Sequence, residues 1–488
     1  MEKVKAMGYE VVNSNLYEDS PAFAFADYCE VADVLDKEKN LEIARKYHVQ
    51  AVLTDESDIA VPTVAYVAGK LGLPTIGEDL ARLFTNKYEM RCFCREHGLK
   101  TPEFRLCENA DEAAAFVREF AESDNSGKSG EPKNPGGTGE SGKSGKRCIM
   151  KPLDSQSSRG VYVLEKPEDA YTFFASSASY SSARHAVIVE QYIEGVEFTV
   201  DGIAYAGEHR SLAISEKKHF SYNTSIASEL FFSETNDRYD YAALKEQNDR
   251  LVALTGLPFG LTHAEYKWED GEFYLIEIAA RGGGTRISSH IVPLLTGIDN
   301  YRFLIEAALG HPIEAASGYP SDADVLRSAD SANQGCLPSE DSGFLRAADP
   351  AGRHTGRCAV LEFLSTDQGD GQEEGVVAAI RGAREVRANP SVLELRLEFS
   401  VGDRLKRADD DRSRVGFYIA YGESEEELRR TMRWVKDTLK IEYTDAQGHG
   451  SIETKKHGNS KQKEEVQWKL RHRTGLPLPA AADSLKSR

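Results

Sequence analysis

The stretch that decides the fold is Lys151-Pro152-Leu153-Asp154-Ser155-Gln156-Ser157-Ser158-Arg159-Gly160-Val161. An apolar strand candidate, Cys148-Ile149-Met150, precedes it, and a second, Val161-Tyr162-Val163-Leu164, follows it. A lysine therefore ends one predicted strand, and a loop of small polar residues leads to the next. Small side chains allow backbone N–H groups to close around phosphate oxygens, and the lysine adds a point charge for them. The stretch predicts a phosphate-binding loop between two strands.

Two further segments carry acidic residues in patterns that suit nucleotide and metal binding. Glu190 and Glu197 flank Gly195, and a carboxylate can accept two hydrogen bonds from vicinal hydroxyl groups. Glu265 and Glu277 lie inside two apolar strand candidates, where an unpaired carboxylate is costly. Two such carboxylates across a hairpin form a hard-oxygen site suited to Mg²⁺. A structural buried ion pair is the alternative interpretation of the same pattern.

The metal interpretation makes a geometric demand on this hairpin. Side chains alternate along a strand, and a two-residue turn at Asp270-Gly271 would pair position 265 with position 276. Glu277 would then point to the opposite face from Glu265. We therefore predict one extra residue, as a longer loop through 269–272 or as a bulge at Gly271, so that both carboxylates reach one cleft lined by Lys151 and Arg281.

Taken in this order, these segments resemble the ATP-grasp superfamily of carboxylate–amine ligases, which hold ATP between two α+β lobes. The resemblance covers about residues 1–310, and Cys358–Tyr443 resembles, more loosely, the C-terminal lobe of the same enzymes. Within the superfamily, Gly282–Ser288 and Gly260–Glu265 favour the dipeptide-forming L-amino-acid ligases. Enzymes of purine synthesis, biotin carboxylation and carbamoyl-phosphate synthesis share the nucleotide pattern. The sequence has no biotin-accepting Met-Lys-Met segment.

The resemblance implies roles for residues around ATP. Lys87 and Lys151 would bind phosphates, and the flap over them would include Gly160. The carboxylate of Glu190 would contact the adenine amino group, and that of Glu197 the ribose hydroxyls. The full set that the resemblance assigns to ATP is Lys87, Lys151, Ser157, Ser158, Gly160, Glu190, Gln191, Tyr192 and Glu197, with the backbone at Gln191 and Tyr192 on the adenine edge.

The same resemblance implies metal, catalytic and substrate residues. Glu265 and Glu277 would hold Mg²⁺, and Arg281, with Lys151, would be catalytic by stabilising the transferred phosphate. The family pattern Glu-x-Asn-x-Arg here reads Glu277-Ile278-Ala279-Ala280-Arg281, which leaves the number of metals open. The substrate residues would be His263, Gly283, Gly284 and Arg286, holding a carboxylate substrate. For His263, which should share the strand face of Glu265, a core histidine is the alternative.

The predicted fold class is α/β and α+β, in four regions. Residues 1–77 form a truncated doubly wound N-terminal domain with a buried strand at Ala51-Val52-Leu53-Thr54. The chain opens at a predicted helix, so the first strand of that domain is expected to be absent. The other regions are the ATP-grasp lobes at 78–310 with a flexible insert at 123–146, a C-terminal lobe at 311–443 with a loose insert at 314–356, and a disordered tail at 444–488.

The insert at 123–146 contains Gly137-Thr138-Gly139-Glu140-Ser141-Gly142-Lys143-Ser144, which fits the G-x-x-x-x-G-K-S phosphate-loop pattern. A genuine loop of this kind follows a strand and opens a helix. This one lies within a low-complexity segment and is followed by a strand candidate, which favours a chance match.

Composition excludes several protein classes. The net charge of −19 argues against a nucleic-acid binder, which needs a basic face. No apolar run approaches the roughly 20 residues of a membrane span, and the charged N-terminus does not suit a signal peptide. Seven scattered cysteines predict buried, reduced thiols in a cytoplasmic protein.

The sequence therefore predicts an ATP-dependent ligase that joins a carboxylate, best an amino acid, to an amine through an acyl phosphate. Its cofactors would be ATP and Mg²⁺, its partners small-molecule carboxylate and amine substrates, and a homodimer is left open. The alternatives are a non-catalytic nucleotide-binding protein or an inactive truncated ATP-grasp fragment, and an enzyme of the purine-biosynthesis type.

Overall fold

The computed structural model describes residues 1–126, 147–155, 159–181, 185–313, 356–366 and 374–444. The predicted inserts and the predicted tail lie almost wholly outside the described residues. The match at 137–144 and the predicted flap residues Ser157 and Ser158 lie outside them entirely.

Helices alternate with strands through the first half of the chain and recur near its end. They are α1 (Glu2–Ala6), α2 (Lys37–Lys46), α3 (Val61–Leu71), α4 (Glu78–Thr85), α5 (Lys87–Glu96), α6 (Ala110–Ser126), α7 (Asp169–Ala178), α8 (Tyr241–Thr255), α9 (Val292–Thr296), α10 (Asn300–Ala308), α11 (Ala383–Ala388) and α12 (Glu425–Thr438). Several helices are preceded by a residue whose side chain accepts a hydrogen bond from a backbone N–H of the first turn. This N–H group would otherwise have no partner within the helix. These capping residues are Asp36, Asn86, Asp240, Asp299 and Ser424.

The strands are β1 (Val12–Asn15), β2 (Tyr28–Val31), β3 (Phe104–Cys107), β4 (Cys148–Pro152), β5 (Tyr162–Leu164), β6 (Val187–Gln191), β7 (Val196–Tyr205), β8 (Glu208–Phe220), β9 (Asn223–Phe232), β10 (Phe259–Glu269), β11 (Glu272–Ala279), β12 (Cys358–Phe363), β13 (Gly375–Arg381), β14 (Val392–Leu397), β15 (Arg404–Leu405), β16 (Gly416–Gly422) and β17 (Lys440–Tyr443). They form sheets in the orders β1-β2, β3-β6-β4-β5, β11-β10-β7-β8-β9-β12-β16-β14 and β15-β13-β17. The mixed α/β class predicted from the sequence is confirmed.

The N-terminal region contains a parallel pair, β1 and β2, flanked by α2 and α3. The prediction of a strand at 51–54 was wrong. Within the described residues, no third strand offers a ladder to this segment, and the side chain of Leu53 is exposed. Instead, the segment runs as extended chain into Asp55 and the short helical turn Asp58–Ala60.

The eight-stranded antiparallel sheet carries the candidate site on one face and a core on the other. Phe198, Ala264 and Tyr266 face this core, which is closed by α8 and by residues of α4 and α5. Because side chains alternate along a strand, their neighbours Glu197 and Glu265 face the opposite way. β12 pairs with β9, so the C-terminal strands β12, β16 and β14 extend the same sheet.

The smaller sheet, β3-β6-β4-β5, is covered by α6 and α7. It presents Lys151 and Glu190 from its central strands β4 and β6. Among the described cysteines, most are buried, but Cys29 on β2 is exposed, so the prediction of uniformly buried thiols was wrong there. Among the described residues, no helix combines the length and the apolar character needed to cross a bilayer.

Candidate active site

Glu265 and Glu277 are direct cross-strand partners on β10 and β11. The hairpin turn has two residues, Asp270 and Gly271, both with positive φ. Pairing runs regularly from the turn to Tyr266, and the register then shifts so that Ile276 is left out of the ladder. The predicted extra residue is therefore present, but its predicted position at the turn was wrong: it is a bulge inside β11.

A buried arginine holds this bulge. Arg91 on α5 has 1% of its side chain exposed, and its Nη2 donates to the carbonyl oxygen of Ile276 at 2.5 Å. A bulge leaves a backbone group without a ladder partner, and a buried unpaired group is costly. Arg91 removes that cost and fixes the register that brings Glu277 opposite Glu265.

The same arginine reaches the phosphate-loop candidate. Its Nε lies 2.7 Å from Oε1 of Glu190, and Nζ of Lys151 lies 2.7 Å from Oε2. Burial alone would raise the pKa of Glu190, but Arg91 and Lys151 lower it below its usual value. Glu190 therefore stays ionised and links the lysine of β4 to the bulge of β11.

The groups that were predicted to contact adenine already have partners within the protein. Both carboxylate oxygens of Glu190 already face cations, and the residue is fully buried. The backbone N–H of Gln191 donates to the carbonyl of Glu103, and that of Tyr192 donates to the carbonyl of Arg147. The side chain of Glu190 is thus a structural ion-pair partner, and these two N–H groups are not free to bind a base.

Lys87 connects the hairpin to the loop after β4. It is the first residue of α5, whose start is fixed by the side chain of Asn86. Its Nζ lies 2.6 Å from Oε1 of Glu277 and 2.7 Å from the carbonyl oxygen of Ser155. Lys87 therefore contacts the start of the segment that follows Lys151 in the chain, and Gly160, after a gap in the described residues, has a φ of 71°.

Glu197, which is buried, and the partly buried Lys217 and Glu265 form a charged network on the site face of β7, β8 and β10. Nζ of Lys217 lies 2.5 Å from Oε1 of Glu197 and 2.8 Å from Oε1 of Glu265. Nε2 of His219 lies 3.3 Å from Glu197. Burial opposes ionisation of both glutamates, but chiefly Lys217 lowers their pKa values below the usual range. Both carboxylates are therefore charged at neutral pH.

Arg281 and Arg286 both have carboxylate partners. Nε and Nη2 of Arg281 bind the two oxygens of Asp58 at 3.0 and 2.9 Å, and Nη1 donates to the carbonyl of Gly282. Nε of Arg286, which has a φ of 68°, lies 2.9 Å from Glu394 on β14. One arginine is thus oriented by the N-terminal region and the other by the C-terminal strands.

His263 shares the site face with Glu265 but is engaged by a carboxylate. Its Nδ1 lies 2.8 Å from Oδ1 of Asp201 on β7. Gly283 packs directly on this pair, because a Cβ added to it would lie 2.7 Å from Asp201 and 2.9 Å from the histidine ring. His263, which was predicted to contact substrate, is therefore oriented by Asp201 on the neighbouring strand β7.

The donor set of Glu265 and Glu277 fits Mg²⁺. Within the described parts of the chain, no group of three or more His, Cys, Asp or Glu side chains is arranged to hold a metal ion. Mg²⁺ is commonly held by one or two carboxylates together with the phosphates of a nucleotide, rather than by a full protein cage. Ala279 pairs with His263 and lies on the same face of the sheet as Glu277, but its methyl side chain supplies no metal ligand, so this hairpin offers two carboxylates.

Sequence reasoning missed the residues that connect the predicted ones. Arg91, Lys217, Asp58 and Asp201 each pair with a predicted site residue from a distant part of the chain. Arg91 lies on an apolar face of α5 beside Met90 and Cys94, and a charge at such a position is a signal that a buried partner exists.

Two domain families match this chain. Residues 144–289 match the ATP-grasp domain, and residues 371–444 match the L-amino acid ligase C-terminal domain 2. The chain thus carries an ATP-grasp domain and an L-amino acid ligase C-terminal domain, as the sequence predicted.

Individual relatives are distant. Dapdiamide A synthase of Enterobacter agglomerans is 26% identical over 167 residues, which cover 33% of this chain and 36% of that protein. The formate-dependent phosphoribosylglycinamide formyltransferase of Erythrobacter litoralis is 25% identical over 60% of this chain and 70% of its own length. The chain therefore aligns with little more than a third of the first of these relatives.

The solved structures share the fold. The L-amino acid ligase of Bacillus licheniformis superposes with a TM-score of 0.64 at 19% identity, and covers 91% of this chain and 95% of its own. This chain therefore shares its overall fold with that structure.

Proposed function

We propose that this protein is an ATP-dependent ligase that joins an amino-acid carboxylate to an amine. The observation that carries the proposal is the bulge at Ile276, which sets Glu265 directly opposite Glu277 beside Lys87. The two carboxylates lie on one face of the hairpin, and each is paired with a lysine, Glu277 with Lys87 and Glu265 with Lys217, which supports a site that handles charge.

ATP would bind between the small sheet and the site face of the large one. Lys87 and Lys151 would bind its phosphates as charged donors, and the carboxylate of Glu197 would accept from the ribose hydroxyls. Glu265 and Glu277 would hold Mg²⁺, which neutralises phosphate charge when bound. The loop that ends at Gly160 would lie over the phosphates.

The chemistry would proceed in two steps. An oxygen of the substrate carboxylate attacks the γ-phosphorus of ATP, the bond to the bridging oxygen breaks, and ADP leaves. The amine nitrogen then attacks the acyl carbon, and phosphate leaves as the amide forms. Arg281, oriented by its bidentate pair with Asp58, would stabilise the charge on the transferred phosphate.

An amino-acid substrate is favoured by the C-terminal match. Residues 371–444 include Glu394, the partner of Arg286, so the part of the chain that resembles L-amino acid ligases reaches the loop predicted to hold substrate.

The test is release of ADP and phosphate over a panel of amino-acid pairs, with product identified by mass spectrometry. A stoichiometric amide with both amino acids supports the proposal. ATP binding without turnover on any acid–amine pair, including formate with phosphoribosylglycinamide, would support the non-catalytic alternative instead.

A further inference from the structure

Each carboxylate proposed to hold Mg²⁺ is already paired with a lysine of this chain. Nζ of Lys217 lies 2.8 Å from Oε1 of Glu265, and Nζ of Lys87 lies 2.6 Å from Oε1 of Glu277. Mg²⁺ binds its oxygen ligands at about 2.0–2.1 Å, so an ion on either of these oxygens would lie close to an ammonium group. Like charges repel strongly at such distances where water is largely excluded. Both ion pairs therefore oppose the binding of a metal ion.

The two lysines differ in how they are held. Lys87 also contacts the carbonyl oxygen of Ser155, at the start of the segment after β4, where phosphates are proposed to bind. Lys217 instead lies between two carboxylates, because its Nζ is also 2.5 Å from Oε1 of Glu197. Only 14% of its side chain is exposed. Lys87 is therefore placed to bind phosphate, whereas Lys217 is fixed beside Glu265.

The charges around the hairpin are nearly balanced without a metal ion. Glu197, Glu265 and Glu277 contribute three negative charges, and Lys217 and Lys87 contribute two positive charges. A divalent cation alone would turn this balance positive, and it would have to share Glu265 with an ammonium group. The phosphates of a nucleotide bring enough negative charge to reverse that balance, and they also supply ligands to Mg²⁺. The network therefore favours a metal ion that arrives with phosphate over one that arrives alone.

We propose that Lys217 is a positioning residue that keeps divalent cations off Glu265 until the phosphates of a nucleotide are present. The inference rests on the ligase function proposed above, because it takes Glu265 as a metal carboxylate. Lys217 acts through that carboxylate and through Glu197, which is proposed to hold the ribose. Its role is to make metal binding depend on nucleotide binding, and such a coupling is reciprocal. A lysine that only stabilised the sheet would not distinguish a metal ion alone from a metal ion with nucleotide.

The measurement is Mn²⁺ binding, followed by electron paramagnetic resonance, since Mn²⁺ takes the same oxygen ligands as Mg²⁺. It is made without nucleotide and with saturating adenylyl-imidodiphosphate, an ATP analogue whose terminal phosphate is not transferred. In Lys217→Met we expect Mn²⁺ alone to bind about tenfold more tightly than in wild type, because the repelling charge is gone. With the analogue bound, the Mn²⁺ affinities of the two proteins should differ by less than about threefold.

Lys218→Met is the matched control. Lys218 follows Lys217 on β8 but points to the other face of the sheet, where its Nζ lies 2.6 Å from Oε1 of the buried Glu229. Both variants remove one positive charge and take a lysine from a carboxylate, so net charge alone does not separate them. Lys218→Met should bind Mn²⁺ as weakly as wild type. Adding Glu265→Gln to Lys217→Met should abolish the gain, which assigns it to that carboxylate.

Lys217→Met leaves Glu197 without its nearest cation, so the folding of this variant is verified by circular dichroism. The double variant Lys217→Met/Glu197→Gln restores the charge balance and should bind Mn²⁺ more tightly than Glu197→Gln alone. Unchanged Mn²⁺ affinity in both Lys217 variants would overturn the proposal, and so would a tightening that is equally large with and without the analogue. None of these measurements needs turnover. Absence of an amide product with every acid–amine pair would therefore refute the ligase function and leave the result for Lys217 in force.

Discussion

Arg91 donates a hydrogen bond to the carbonyl of Ile276, the residue that the β10–β11 hairpin leaves out of its ladder. Through Nε, the same guanidinium forms an ion pair with Glu190, which in turn forms an ion pair with Lys151. One buried side chain thus connects two parts of the site. The first is the bulge that brings Glu277 opposite Glu265, and the second is strand β4, which carries Lys151. The proposed metal and phosphate parts of the site are therefore positioned by the same side chain.

Replacing Arg91 should therefore destabilise the protein and disturb the site together. Arg91→Met leaves the bulge carbonyl unpaired and one carboxylate oxygen of the buried Glu190 without its partner. We expect a loss of about 3–5 kcal/mol in the free energy of unfolding, measured by urea denaturation. Arg118→Met, which removes an exposed arginine from α6, is the control and should change stability by less than about 0.5 kcal/mol. Equal effects of the two variants would show that the contact with Ile276 contributes nothing.

The metal assignment predicts a loss of Mg²⁺-dependent activity without loss of fold. Glu277→Gln and Glu265→Gln should each reduce Mg²⁺-dependent ATP turnover by at least about 100-fold, because loss of an outer-shell group alone costs 10–100-fold. The measurement is ADP release across a Mg²⁺ titration, with circular dichroism to verify folding. Glu272→Gln, at the exposed start of the same strand, is the matched control. Wild-type turnover in Glu277→Gln would refute the assignment.

The sequence predicted the need for the bulge but not its place. Face alternation and the turn at Asp270 showed that one residue had to be left unpaired. Ile276 itself is an ordinary strand residue, and what fixes it is a side chain from α5, far away in the chain. A buried charge such as Arg91 signals that a partner exists, but the local sequence does not say which distant residue it is, as with Asp58 for Arg281. The strand expected at 51–54 failed for a related reason, since an apolar run becomes a strand only where a neighbour offers a ladder.

The two lysine-containing segments should respond differently to mutation. Lys151→Ala should weaken ATP binding by roughly 1–3 kcal/mol, as loss of a charged hydrogen bond predicts. Deleting residues 123–146, which contain the G-x-x-x-x-G-K-S match, should leave ATP binding nearly unchanged. Both are measured by titration calorimetry with ATP. If the deletion abolished binding and Lys151→Ala did not, the phosphate site would have to be moved to the insert.

Asp55 gives a prediction for stability against pH. Burial raises its pKa in the folded protein, whereas in the unfolded chain it titrates at its ordinary value. The unfolded state therefore loses the proton more readily, so this carboxylate lowers stability increasingly as the pH rises from the ordinary value towards the raised one. Asp55→Asn removes that penalty. Its melting temperature should exceed that of wild type at pH 7, and the gain should shrink as the pH falls towards 4. Asp19→Asn, at an exposed site, should show no such trend. A melting temperature lowered by Asp55→Asn at pH 7 would instead mean that the contacts of Asp55 with Tyr301, Gly282 and Arg281 outweigh the cost of burying its charge.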